Sequence, residues 1–78
     1  NGEYEVIEAD IIETSELINK QLKESNLPDE IRIGAIIRDD KFMIPSSSYV
    51  FKKDDTVVLL SKRDQLPIVE NMFRISSI

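Results

Sequence analysis

The sequence predicts a small α/β domain of the α+β kind, in the order β-α-β-β-β-α, with helices packed on a mixed sheet. Three observations carry this. Apolar residues recur with period two in three separate stretches, and at helical spacing in two others. Turn-forming or helix-stopping residues stand at most of the changes between them. A chain of 78 residues also has room for one core and no more.

The elements follow in order. In Tyr4-Glu5-Val6-Ile7-Glu8-Ala9-Asp10-Ile11, the residues Ile7, Ala9 and Ile11 alternate onto one face of a first strand. Thr14 or Ser15 offers a hydroxyl N-cap. Leu17, Ile18 and Leu22 then recur as an amphipathic helix over Ser15–Ser25, ended by Asn26 and Pro28. From Ile31 the period is two: Ile31, Ile33, Ala35 and Ile37 face one way, and Arg32, Gly34, Ile36 and Arg38 the other. Gly34 inside this strand marks a close approach by another backbone or a ligand.

Asp39-Asp40-Lys41 is a polar turn, Phe42-Met43-Ile44 the hairpin partner, and Pro45 its end, since proline has no N–H to give. Ser46–Ser48 connect to a brief edge segment, Tyr49-Val50-Phe51, and Lys52–Asp55 form a turn. Thr56-Val57-Val58-Leu59-Leu60 is apolar on both faces, as an interior strand should be. Leu66, Val69 and Phe73 mark the face of a closing helix, with Pro67 in its first turn.

Composition excludes several functions. There is no cysteine and no histidine, which removes disulfides, thiolate metal sites and the commonest general base. Ten basic and 15 acidic residues leave a net charge of −5, with the cations scattered; this argues against nucleic acid and against anionic membrane surfaces. No stretch approaches the ~18–20 apolar residues of a membrane span, so direct membrane insertion is not expected. The chain opens on Asn1 rather than methionine and is expected to be a piece of a longer protein.

Catalytic machinery is not expected either. Asp39-Asp40 and Asp54-Asp55 are adjacent turn residues rather than spaced metal ligands. The hydroxyls of Ser46–Ser48 have no histidine to activate them. With only Gly2 and Gly34, no glycine-rich phosphate loop can be written. One constellation remains. Arg32 and Arg38 flank Gly34 and Ile36 on one face of the strand, with Pro45 returning close by; an arginine at the edge of such an apolar strip either holds a small anion with its planar fork of donors or is solvated or paired with the nearby Asp39 and Asp40.

Leu27-Pro28, the run Ile33-Gly34-Ala35-Ile36-Ile37-Arg38-Asp39-Asp40-Lys41 and Ile44-Pro45 stand here in a specific order and spacing. Together they resemble the C-terminal (TrkA-C, or RCK C-terminal) domain of TrkA-type potassium-uptake regulators. The resemblance runs from Tyr4 to Phe73. Two departures are visible. Asn19-Lys20 stands where that family prefers glycine-lysine, and Asp54-Asp55 where it prefers glycine-aspartate, so an aspartate is expected to take a left-handed conformation.

The resemblance implies one regulatory domain over residues 1–78, cytoplasmic and peripheral to the inner face of the plasma membrane. It implies a homodimer that acts on a potassium-transporter membrane subunit through the parent protein. It further implies a small anionic ligand such as a cyclic dinucleotide, with Ile33, Ile36, Arg38 and Pro45 as the matching positions. No cofactor is expected in this domain; NAD or another nucleotide would belong to a Rossmann domain elsewhere in the parent. The same module on another transporter or channel, or a dimerisation clamp without ligand, are the competing readings.

Overall fold

Alternation decides which side of each strand is buried, and burial decides where the strands pair. The computed structural model describes residues 3–75; Asn1 and Gly2 lie outside the described residues. Five strands, β1 (Tyr4–Asp10), β2 (Ile31–Arg38), β3 (Lys41–Met43), β4 (Thr56–Lys62) and β5 (Arg74–Ile75), form one sheet in the order β3-β2-β4-β1-β5. Every pairing is antiparallel, which narrows the expected mixed sheet to one pairing mode. One helix, α1 (Leu66–Met72), packs on it, with Pro67 in its first turn as expected. The α+β class read from the sequence is therefore what the structure shows.

The doubly apolar β4 lies at the centre of the sheet, between β2 and β1. Val57 and Leu59 of β4, Ile7 and Ala9 of β1 and Ile36 of β2 form the inner face, each 8% exposed or less. Ile11, Leu17, Phe51, Val69 and Phe73 complete the core. At about 25 cal/mol per Å² of apolar surface, such side chains are the main source of stability.

The helix expected over Ser15–Ser25 is not formed. The segment is a run of turns closed by i→i−3 bonds, such as the Lys20 N–H to the Leu17 carbonyl (3.0 Å), and ends in a single 3-10 turn, Leu22–Glu24. The cause is visible at Asn19, which adopts a left-handed φ of 67° and donates its N–H to the Phe51 carbonyl at 2.9 Å. Phe51 returns the favour to the Lys20 carbonyl (3.0 Å), and Gln21 bridges Val50. Residues 49–51, expected as a sheet-edge segment, thus pair with residues 19–22 in a layer over the sheet. Leu17 still reaches the core (1% exposed), so the apolar spacing was informative while the backbone route was not.

Two turns behave as their chemistry suggests. Asp39 and Asp40 both have positive φ (51° and 63°), the signature of a two-residue primed hairpin turn between Arg38 and Lys41. Asp54 takes the left-handed conformation (φ 71°) expected of an aspartate in the Lys52–Asp55 turn. The two-residue strand β5 was not expected from the sequence.

The faces of β2 differ from the strict alternation expected. Ile33 pairs with Leu59 but Ala35 pairs with Val58, so Gly34 is an extra residue, a β-bulge. Beyond it the faces exchange. Ile31, Ile33, Ile36 and Arg38 point to the inner side, while Arg32, Ala35 and Ile37 point to the outer side. A Cβ placed on Gly34 would lie 3.7 Å from the Val58 carbonyl oxygen, ordinary contact. Gly34 therefore marks a change of register here and not a close approach.

Candidate functional site

The exchange of faces at Gly34 determines what Arg38 can do. Read without it, Arg38 would share the outer face with Arg32. With it, Arg38 projects over the inner side, toward the loop that links β3 to β4. There its Nε donates to Oδ1 of Asp55 at 2.7 Å, and its Nη2 donates to Oδ2 at 2.9 Å and to the Val50 carbonyl at 3.2 Å. The fork is bidentate, the geometry in which guanidinium and carboxylate bind most strongly.

Asp55 is 1% exposed and fully used. Its Oδ2 also accepts from the Tyr49 hydroxyl (2.6 Å) and the Lys52 backbone N–H (3.0 Å). The Arg38 guanidinium carbon sits 5.1 Å from the Tyr49 ring centre, and that ring meets Phe51 edge-on at 5.8 Å and 82°. Burial by itself pushes the Asp55 carboxyl up. The hydrogen bonds from Arg38, Tyr49 and Lys52, with the Arg38 charge, outweigh it and hold the group below its ordinary range. Burial first, and then the bond to Asp55, drive the Tyr49 hydroxyl upward, so it stays protonated and a donor. The bond to Asp55 raises Arg38 in turn. Among the described residues no buried side-chain polar atom lacks a partner.

The residues singled out from the sequence occupy unequal positions. Ile33, Ile36 and Arg38 share the inner side of β2, which strict alternation would have forbidden. Ile36 is wholly buried, and Arg38 keeps 34% of its side chain exposed. Ile33 is half-buried in the wall of a depression of about 370 Å³, with Lys23, Arg32, Leu22 and Leu27. Arg38 lines a different one of about 250 Å³, with Asp39, Lys52, Lys53, Asp54 and Asp55. Pro45 is half-buried beyond the last β3 pair and borders neither. The residues that sequence reasoning missed are Asp55 and Tyr49. Arg38 meets Asp55 across 17 positions of chain, and no local pattern announces that pair.

Chemically, this is the Arg38–Asp55 ion pair and the Tyr49 phenol beside a shallow surface that carries two lysines, Lys52 and Lys53, and two further aspartates, Asp39 and Asp54. Among the described residues no group of carboxylates is placed to hold a metal ion, and no helix is long and apolar enough to cross a membrane. The arrangement can bind and position; it presents no nucleophile beside a base.

The family model described as the TrkA-C domain matches residues 6–74. The chain belongs to the TrkA-C domain family. The Trk system potassium uptake protein TrkA of Azorhizobium caulinodans is 40% identical over 76 residues, covering 97% of this chain and 17% of that protein. A TrkA homologue of Archaeoglobus fulgidus is 30% identical over 64 residues, 82% of this chain and 15% of its own length. The K(+)/H(+) antiporter NhaP2 of Shewanella baltica is 30% identical over 73 residues, 94% of this chain and 13% of its own. The TrkA-C chain thus spans less than a fifth of each of these relatives. A solved structure described as an RCK domain with cda superposes with a TM-score of 0.73 at 17% identity, covering 88% of this chain and 97% of that one. At that identity the likeness concerns the fold.

Proposed function

We propose that this TrkA-C domain is the regulatory part of a potassium-uptake system of the Trk type. It would act in the cytoplasm, on a membrane subunit reached through a longer parent protein. The observation that carries the reading is the 40% identity to TrkA across 97% of the chain. A likeness of that extent covers the sheet, the hairpin and the loop layer together. In this reading the domain holds no cofactor and performs no reaction. It pairs with a second copy, and a small anionic ligand shifts the balance between two arrangements of the pair. A ligand can do so only by its difference in affinity for the two.

The ligand would lie along the inner side of β2 near the hairpin. Arg38 would offer the charge from the exposed third of a side chain already paired with Asp55; Ile33 and Pro45 would flank it from outside the depression that Arg38 lines, and Ile36 lies wholly buried beneath the strand. A cyclic dinucleotide has the required anionic groups and flat apolar surfaces, and the structural neighbour solved with cda encourages that choice. Isothermal titration of the chain with a panel of cyclic dinucleotides tests it. Loss of a charged hydrogen bond predicts that Arg38→Ala weakens binding about tenfold or more. Ile33→Ala serves as the second variant, because Arg38→Ala also breaks the pair with Asp55. No heat at millimolar ligand favours a clamp that pairs without ligand. Binding indifferent to both variants overturns the site.

The second reading, the same module serving a different transporter, is favoured by the match to NhaP2, whose name is that of a K(+)/H(+) antiporter. The two part on which transporter's flux responds when the domain is deleted from the parent gene.

A further inference from the structure

The first half of β2 is an open edge of the sheet. β3 pairs only with Ile36, Ile37 and Arg38, so among the described residues no strand flanks residues 31–35 on that side. The ladder with β4 fixes which backbone groups are left there. The Lys62 N–H donates to the Glu30 carbonyl at 3.1 Å, so Ile31 and Ser61 face each other without mutual hydrogen bonds. Ile31 and Ile33 therefore turn their backbone groups away from β4. The Ile31 N–H is taken by the Pro28 carbonyl (3.0 Å), whereas the Ile33 N–H meets no backbone acceptor among the described residues.

The depression of about 370 Å³ lies along this edge, between β2 and the chain that follows the Leu22–Glu24 turn. Its apolar wall is Leu22, Leu27, Ile31 and Ile33. Ser25 lines it as well and is only 8% exposed. The Ser25 N–H is bonded to the Leu22 carbonyl (3.0 Å), but its hydroxyl has no protein partner. Among the described residues every fully enclosed side-chain polar atom is bonded. The Ser25 hydroxyl is therefore not enclosed, and the free space that its residue borders is this depression. A hydroxyl on a buried residue, left open to a recess, is a group that a ligand atom satisfies.

Charge at the recess has one sign. Lys23 lines it and forms no ion pair. Arg32 reaches round the open edge, its Nε donating to the Asp29 carbonyl at 3.4 Å, and its two terminal nitrogens have no protein partner. No carboxylate among the described residues lines the recess, although the chain carries a net charge of −5. Glu24, beside Lys23, is turned back on the Gln21 N–H at 2.8 Å. The recess thus favours an anion. Two carboxylate oxygens match its donors: a hydroxyl, a backbone N–H and two cationic heads. The volume stands at the lower end of small-molecule sites, and the wall calls for an apolar body.

We propose that the open edge of β2 carries a site for a small organic carboxylate with an apolar body. The Ser25 hydroxyl and the Ile33 N–H hold the carboxylate, Lys23 and Arg32 neutralise it, and Leu22, Leu27 and Ile31 enclose the body. The proposal goes beyond the reading above and does not rest on it, because neither Arg38 nor Asp55 takes part. Ile33 borders both places and is for that reason not used as a variant here.

Heteronuclear NMR of the chain titrated with phenylacetate provides the test. Half-saturation is expected at about 1 mM, as suits roughly ten heavy atoms in a shallow recess. The amide signals that move should be those of Ser25, Leu27 and Ile33. Phenylacetamide, the neutral isostere, should not bind at about ten times that concentration, since it lacks the charge that Lys23 and Arg32 neutralise. Lys23→Gln combined with Arg32→Gln should weaken phenylacetate about tenfold or more, and Ser25→Ala about fivefold. Both variants should keep the wild-type spectrum, because the two cations are exposed and the Ser25 hydroxyl has no protein bond to lose. No movement at about 20 mM phenylacetate overturns the site. Movement confined to Arg38 and Lys52–Asp55 assigns the anion to the other depression and overturns this one. Equal binding of phenylacetamide overturns recognition by charge, and phenyl phosphate held more than about tenfold tighter overturns the carboxylate. The titration with cyclic dinucleotides stands or falls separately from each of these results.

Discussion

Asp55→Asn is expected to lower the stability of the domain by about 2–3 kcal/mol at neutral pH. The exchange keeps the shape and removes the charge that Arg38, Tyr49 and the Lys52 amide converge upon. Breaking a fully enclosed pair typically costs about 3–5 kcal/mol. The figure here is smaller because Arg38 keeps a third of its side chain in solvent. Against a total on the order of 5–10 kcal/mol for a domain of this size, the loss is large. Urea denaturation of the two proteins measures it.

The same pair sets an acid limit with a definite sign. The folded Asp55 carboxyl lies below its ordinary value. Its contribution is therefore present above the unfolded pKa of about 3.9 and is lost as pH falls toward the lower folded one. The gap between wild type and Asp55→Asn should narrow below pH 4. A gap that stays constant from pH 6 to pH 2 would show that ionic pairing is not what Asp55 contributes.

Phe51→Ala should be the more damaging change, at about 3–5 kcal/mol, the range for emptying a buried aromatic site. Phe51 has no exposed surface, meets Tyr49 edge-on, and pairs its backbone with Asn19 and Lys20. The ring therefore joins the sheet, the turn layer and the Arg38–Asp55 pair, and little can collapse into the space it leaves. Thermal melting should show a variant that is partly unfolded at room temperature. A loss under 1 kcal/mol would mean that the turn layer is held independently of this ring.

Much of this fold is legible in the chain. The alternation of Ile7, Ala9 and Ile11, the doubly apolar Thr56–Leu60 and the Pro67 start of α1 each follow from local rules, and each stands where those rules put it. The failures are physical too. Leu17, Ile18 and Leu22 have helical spacing, but the same spacing serves successive tight turns, and only the distant Phe51 carbonyl decides in favour of a left-handed Asn19. An interior glycine has two meanings in a strand, close approach or bulge. The sheet partner chooses, and that partner lies more than 20 residues away in sequence. Arg38 could be picked out as the one arginine at the end of an apolar strand. Its attachment to Asp55 could not, because that bond exists only once the register has shifted.

Gly34 acts on β2 much as an inserted base acts on a reading frame. Everything downstream is read on the other side until the strand ends, and the message changes from an inward alanine and an outward arginine to an inward isoleucine and a paired arginine. Deleting Gly34 is therefore expected to do harm out of proportion to the loss of a residue without a side chain. It would turn Ala35 and Ile37 inward and carry Arg38 away from Asp55. A pair of residues added to the Asp39-Asp40 tip preserves the frame and should be tolerated. Length variation among related chains should accordingly fall at that tip in twos, while the spacing from Ile33 to Arg38 stays constant.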